Sequence, residues 1–156
     1  MFLNILGHEA ILDFLPKLSA HSLLFCGPDG VGRRLVARWY AAFLNCQAVE
    51  KRPCGQCNSC QQILNAQHPD YREISPEMTT KSGRKSRQPQ FRIDDLVPRE
   101  GGNPEPLSPW LRQRPYYRCR LAVIDHAEGL NDSAANAFLK VLEEPPSYVK
   151  IVLIAP

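Results

Sequence analysis

Apolar residues along the chain fall into short runs that alternate with helically spaced stripes. Ile5 to Leu18 places Ile11, Leu12, Phe14, Leu15 and Leu18 on one helical face, with Pro16 disturbing its end. Leu23 to Cys26 has the length and flanks of a buried strand. A long helix follows from about Val31 to Leu44, with Leu35, Trp39, Ala42 and Phe43 on its core side. Next come a short helix, Cys57 to Ala66, and a brief strand, Arg72 to Ile74. Much later a second buried strand, Arg120 to Ile124, ends in Asp125. A helix from about Asp132 to Glu143 carries the stripe Ala135, Phe138, Leu139 and Leu142 and is stopped by Pro145-Pro146. Lys150 to Ile154 reads as the last strand. Strands alternating with helices predict an α/β fold with a mostly parallel sheet.

One interval breaks this rhythm. Seven of the fourteen prolines lie between Pro76 and Pro115, a density that excludes a regular sheet or a long helix and makes the interval a large loop or insertion. A short helix around Ser108 to Gln113 fits inside it. The interval also holds the charge. It has eight Lys/Arg against five Asp/Glu, which accounts for the whole net charge of +3, since the remaining chain has eleven of each. From Lys81 to Arg92 there are five basic residues and no acid: Lys81, Arg84, Lys85, Arg87 and Arg92. These form either a solvated loop or an arm that contacts nucleic-acid phosphates, with Phe91 and Ile93 able to dock its end.

At 156 residues and 44% hydrophobic content the chain can bury one domain's core. No run reaches the ~18 apolar residues of a membrane span, and no basic segment precedes the apolar residues at the N-terminus. A cytoplasmic protein with no membrane partner is expected.

Four of the six cysteines lie within fifteen residues as C-x7-C-x2-C-x2-C: Cys46, Cys54, Cys57 and Cys60. Four soft ligands at this spacing suit tetrahedral Zn²⁺, and with no position left for water the role is structural. Gly55 permits the tight turn between Cys54 and Cys57. A disulfide framework competes poorly in an intracellular α/β chain. Cys26 and Cys119 read as buried packing thiols.

Between the first strand and the long helix stands Gly27-Pro28-Asp29-Gly30-Val31-Gly32-Arg33-Arg34. Strand, glycine turn and helix make up the setting of a P-loop, whose working form is G-x-x-x-x-G-K-[ST]. Gly27 and Gly32 keep the spacing, but Arg33 occupies the lysine position and Arg34 the hydroxyl position. Arginine pairs with phosphate yet has no lone pair for magnesium. Asp125 sits where a metal-holding carboxylate would, but the next residue is His126 and the nearest acid is Glu128, so turnover is not expected. Gly27, Gly30, Gly32, Arg33, Arg34 and Asp125 thus read as a nucleotide-site remnant without a catalytic residue, with neither ATP/ADP nor Mg²⁺ expected. Glu143 and Glu144 end their helix against the macrodipole, at ~0.3–1 kcal/mol each, either exposed or compensated by a basic partner.

GPDGVGRRLVA, the cysteine cluster, His68-Pro69-Asp70 and IDHAEGLNDSAANAFLKVLEEPP from Ile124 to Pro146 together resemble the bacterial DNA polymerase III clamp-loader subunits. Within them the delta-prime group is the better match, because Arg33, Arg34 and His126 depart from the ATP-hydrolysing gamma and tau subunits. The resemblance implies an AAA+ (P-loop NTPase-like) domain over residues 1–156, with a zinc module at 46–60 and a basic, proline-rich insertion at about 76–117. It implies that a further strand, an arginine finger, a lid and a collar lie beyond Pro156. The Lys150–Ile154 strand would lie between the Leu23 and Leu121 strands, leaving the Leu23 strand at an edge. The function implied is that of a non-catalytic stator in DNA replication. Its partners would be gamma/tau and delta and, indirectly, the sliding clamp and primer-template DNA. An ATP-hydrolysing gamma/tau-type subunit and a zinc-stabilised DNA-binding module are the alternatives.

Overall fold

The computed structural model describes residues 3, 5–79, 85–91, 93–98, 100 and 105–156, with the backbone alone described at 77–79, 85–90, 93, 137 and 140. Four parallel strands form the central sheet: β1 (Ser22–Cys26), β2 (Tyr71–Ile74), β5 (Arg120–Ile124) and β6 (Val149–Ala155). Their order is β1-β6-β5-β2, so β6 lies between β1 and β5 and β1 is an edge, as the resemblance implied. Register runs from Ser22 opposite Ile151 to Cys26 opposite Ala155, and from Arg120 opposite Val149 to Ile124 opposite Leu153.

The two inner strands are buried on both faces, which is why β5 reads as an unbroken apolar run. Alternate residues serve opposite cores. Leu121, Val123, Val152 and Ile154 pack with Val36, Ala37, Tyr40 and Ala41 of α2 (Arg33–Asn45) and Ile63 of α3 (Asn58–Leu64). Ala122, Ile124, Val149 and Ile151 pack on the other face with Phe138 of α6 (Asp132–Glu143) and with Leu107 and Leu111 of α5 (Leu107–Arg112). Asn131 caps α6, its side chain accepting the Ala134 N–H at 2.8 Å.

Several expectations are corrected. The first helix is short: α1 spans Glu9–Phe14 and continues as a 3₁₀ turn, Leu15–Lys17, because Pro16 removes a backbone donor. Leu15 is buried, but Ile11 and Phe14 are exposed. On α2 the buried face is Val36, Ala37, Tyr40 and Ala41 with Ala42, while Leu35, Trp39 and Phe43 are only half-buried. On α6 the buried positions are Ala134, Phe138 and Val141, and Leu139 is exposed. β1 is not a buried strand, since it is the edge and Leu24 is exposed, and Cys26 at its end is an exposed thiol. Cys119 is buried as expected.

The 76–117 interval does hold regular structure. β3 (Glu77–Thr79) and β4 (Lys85–Gln90) pair antiparallel, and α4 (Ile93–Leu96) follows. A two-stranded ribbon is all edge, so Pro89 leaves no ladder partner stranded inside a sheet. Phe91 is buried and does dock the ribbon's end. Among the basic-arm residues, Lys85 and Arg87 lie on β4, while Lys81, Arg84 and Arg92 lie outside the described residues. Glu143 and Glu144 are both exposed.

Candidate functional site

Parallel strands deliver their carboxyl ends to one pole, where α/β folds hold their ligands. There β1 leads through Gly27–Gly32 into α2, and β5 ends in Asp125. Gly30 (φ +83°) and Gly32 (φ +94°) are left-handed, a conformation that costs glycine no steric penalty. Gly32 is the N-cap of α2 and offers no side chain, so the first helical N–H groups face a cavity of about 540 Å³. Gly30, Gly32, Arg33, Arg34, Asp125 and His126 are in its lining. The glycine turn and the carboxylate that the sequence singled out therefore converge.

The two arginines do not reach freely into that space. Arg33 donates to the Ala155 carbonyl at the end of β6 and, at 2.5 Å, to Asp29 Oδ1, and its side chain is only 11% exposed. Arg34 is ion-paired with Glu73 Oε1 and approaches Asp125 Oδ2 at 3.4 Å. Glu73, on β2, also accepts from Arg38 at 3.4 Å and from the Tyr71 hydroxyl at 3.0 Å. Burial, reinforced by the Glu73 charge, pushes the Tyr71 phenol well above its ordinary range and keeps it a donor. A guanidinium thus lies between the carboxylates of Glu73 and Asp125. His126 is exposed in a left-handed conformation (φ +55°), its Nδ1 3.1 Å from Glu128. Sequence reasoning missed Glu73 and Arg38. They are distant in the chain, and only the β2–α2 packing brings them to the mouth.

The second site lies at the opposite pole. Cys46 follows the last residue of α2, Cys54 and Cys57 flank a turn with Gly55 at φ +73°, and Cys60 sits in the first turn of α3. All four sulfur atoms lie within 4.8 Å of one another. A tetrahedron at ~2.3 Å from zinc has edges of ~3.8 Å, within easy side-chain adjustment. Cys46 Sγ accepts the Cys54 N–H at 3.4 Å, and Cys54 Sγ accepts those of Gln56 and Cys57 at 3.5 and 3.3 Å. Those backbone donors pull the Cys54 thiol down to about 6, whereas burial pushes Cys60 up. A cation at the centre resolves the disparity by favouring every thiolate. The residues fit the group, and all six cysteines are unbridged. This is a structural four-cysteine zinc-binding cluster.

Around it runs a polar lattice that the sequence did not disclose. Asn45, fully buried, accepts the N–H groups of Arg118 and Cys119 at 3.1 and 2.9 Å and donates to the Cys119 carbonyl at 2.9 Å. Asp70, also fully buried, accepts from Tyr116 N and Tyr117 N at 2.8 and 2.7 Å. Arg120 lies 3.9 Å from Asp70 and donates to the carbonyls of Gln113 and Arg114 at 2.8 and 3.0 Å, its guanidinium over the Trp110 ring. His68 Nδ1 accepts the Asp70 N–H at 3.0 Å, so its proton is on Nε2, facing Ser59 Oγ at 3.0 Å. Burial pushes its pKa down to about 4, with Asp70 opposing only in part. His68-Pro69-Asp70 was visible as a motif, but nothing in the sequence marked Asn45.

Comparison with known proteins places this geometry. The sequence family described as "DNA polymerase III, delta subunit" matches residues 16–156. The DNA polymerase III subunit delta' of Pseudomonas aeruginosa is 33% identical over 137 residues, covering 87% of this chain and 37% of that protein. The subunit tau/gamma of Haemophilus influenzae is 33% identical over 159 residues, covering 97% of this chain and 20% of that protein. The chain therefore spans little more than a third of the first of these and a fifth of the second. The crystal structure of a DNA polymerase III gamma-subunit-related protein from Thermotoga maritima superposes with a TM-score of 0.52. It covers 94% of this chain and 38% of that one at 22% identity, a likeness of fold. Among the described residues, no helix is long and apolar enough to cross a membrane.

Proposed function

The chain belongs to the bacterial DNA polymerase III clamp-loader family, AAA+ proteins related to the delta', tau and gamma subunits, and from that premise we propose that it serves as a non-catalytic, stator-type subunit. Residues 1–156 are taken as the AAA+ region, with the zinc module at 46–60 and the insertion at 76–117. The observation that carries this reading is the placement of Arg34. Its guanidinium lies on Glu73 and Asp125 in the position where a hydroxyl would anchor magnesium. An internal cation there offsets the carboxylate charge that would recruit Mg²⁺, and arginine offers the metal no lone pair. Arg33, held by Asp29 and Ala155, is not positioned as a mobile phosphate-reaching lysine. The remnant residues Gly27, Gly30, Gly32, Arg33, Arg34 and Asp125 then form a rigid wall that neighbouring subunits pack against. Its partners in this role are gamma/tau and delta, acting on the sliding clamp and primer-template DNA.

The similarity to tau/gamma over 97% of the chain favours one rival, an ATP-hydrolysing subunit. The purified chain is incubated with Mg·ATP, and both phosphate release and nucleotide binding are measured. The stator reading expects neither above a protein-free blank. Hydrolysis that disappears in Asp125→Asn would overturn it and install the rival.

A further inference from the structure

The arginines whose side chains are described divide into two groups. Arg33, Arg34, Arg38 and Arg72 each pair with a carboxylate, Arg120 faces buried Asp70, and Arg52 bonds a backbone carbonyl. Among the described residues, Arg112, Arg114 and Arg118 have no carboxylate partner, and all three are exposed within one seven-residue stretch. Tyr116, between them, is 76% exposed. From Pro106 to Ile124 the sequence contains no Asp or Glu, so nothing local neutralises the three cations.

Exposed basic loops ordinarily move. This one is held. Its backbone is laced to three buried polar side chains: Arg120 holds the carbonyls of Gln113 and Arg114, Asp70 the amides of Tyr116 and Tyr117, and Asn45 those of Arg118 and Cys119. Tyr117 is fixed as well. Its hydroxyl donates to Gln62 and accepts from Asn58 on α3, its ring stacks on His68, and the Tyr116 ring packs edge-on against it. A preorganised loop loses little conformational freedom when a ligand binds, so each contact it makes counts nearly in full.

We propose that the 112–118 loop binds a nucleic-acid strand, with Arg112, Arg114 and Arg118 contacting phosphates and Tyr116 stacking on a base. Planar guanidiniums match phosphate geometry, and an exposed aromatic among them is the arrangement that holds single strands without reading sequence. An acidic protein surface would satisfy the arginines but would leave the tyrosine ring without a partner. The surface lies at the amino-terminal pole of the sheet, beside the zinc module and opposite the nucleotide remnant. It is separate from Lys85 and Arg87 of the basic ribbon and does not depend on the stator reading, whose failure in an ATPase assay would leave it untouched.

The test is fluorescence anisotropy on the purified, zinc-loaded chain with labelled single-stranded DNA, single-stranded RNA and duplex DNA across a salt series, with heparin as a bare polyanion. Binding is expected to be tighter for a single strand than for the duplex, and a DNA or RNA preference identifies the source of the strand. Arg114→Ala with Arg118→Ala should weaken binding at least tenfold and lower the slope of log K against log salt by about 1.4, roughly 0.7 per lost phosphate contact. Tyr116→Ala should weaken it about fivefold or more with the slope unchanged. Arg114→Lys with Arg118→Lys should keep the slope, and a retained zinc content shows that every variant is folded. The proposal is overturned by absence of strand binding or by a loss that follows Lys85→Ala with Arg87→Ala instead. Heparin binding equal to strand binding and indifferent to Tyr116→Ala would also overturn it.

Discussion

The two poles of the sheet use the same residue type for opposite ends. At the carboxyl-terminal mouth Arg33, Arg34 and Arg38 are all engaged by Asp29, Glu73 and Asp125. At the amino-terminal pole the buried acid, Asp70, holds backbone amides, and three arginines of the neighbouring loop face solvent. Pairing therefore distinguishes the two basic clusters better than residue count does. A basic cluster attracts anions only in so far as its charges are not already answered from within.

If the zinc cluster anchors the second pole, its removal should have the largest effect of any single change and should act there first. Chelation, or Cys60→Ser, should take zinc from about one per chain to none. It should lower stability by several kcal/mol, short of the ~10–16 kcal/mol of isolated zinc peptides because a core remains. Hydrogen exchange should then rise at residues 116–119 before it rises at 27–34, since Asn45 and Ser59 are the chain neighbours of two ligands. Equal or earlier opening of the glycine loop would break the contrast between the poles.

A smaller effect belongs to His68. It is 5% exposed and held neutral: Nε2 donates to Ser59 Oγ and Nδ1 accepts the Asp70 N–H, a contact that a proton on Nδ1 would break. Its folded pKa, about 4, lies below its ordinary 6.5, so the unfolded chain binds the extra proton first as pH falls. The stability it contributes is complete above about pH 6.5 and is lost as pH falls from there toward 4. The loss is about 3 kcal/mol at ~1.4 kcal/mol per unit. Urea denaturation of the wild type against His68→Gln over that window measures it. Because loss of thiolate ligands acts on both proteins, the difference between the curves isolates the imidazole. Parallel curves would mean that the lattice does not depend on its neutral form.

What was legible follows the same division. β5, α6 and the cysteine cluster could be read because each is local: an apolar run buried on both faces, a helix with a proline stop, four ligands within fifteen residues. The strand order came from the family resemblance and not from periodicity. The core face of α2 was read in part: Ala42 is fully buried and Leu35 and Trp39 pack against the core's margin, but Val36, Ala37, Tyr40 and Ala41 carry its centre. The ribbon in the insertion was missed because proline density argues against sheets with interior strands and says little about a ribbon that is all edge. Arg33 and Arg34 could be recognised as misfits in the glycine loop, but what they bind is decided by Glu73 and Ala155, 39 and 122 residues away. Asn45 left no trace, since a buried asparagine looks like any helix-terminal one until its partners are known.

The smallest expected effect is also the most direct comparison between the poles. Arg34 is 57% exposed, so solvent screens its attraction to Glu73 and Asp125, and exposed pairs contribute ~0–1 kcal/mol. Both carboxylates are nearly buried, however, at 13% and 7% exposure, and Arg34→Ala takes a cation away from both. The cost should fall near the top of that range, a drop in Tm of about 2–4 °C for a chain of this size. Arg118→Ala, which removes an equal charge from a side chain with no described ion pair, should leave Tm within error while the strand-binding slope falls. Calorimetry on the two variants side by side settles whether pairing is the true difference. Should Arg118→Ala cost as much as Arg34→Ala, the loop arginines are structural, and the contrast between a closed mouth and an open surface does not hold.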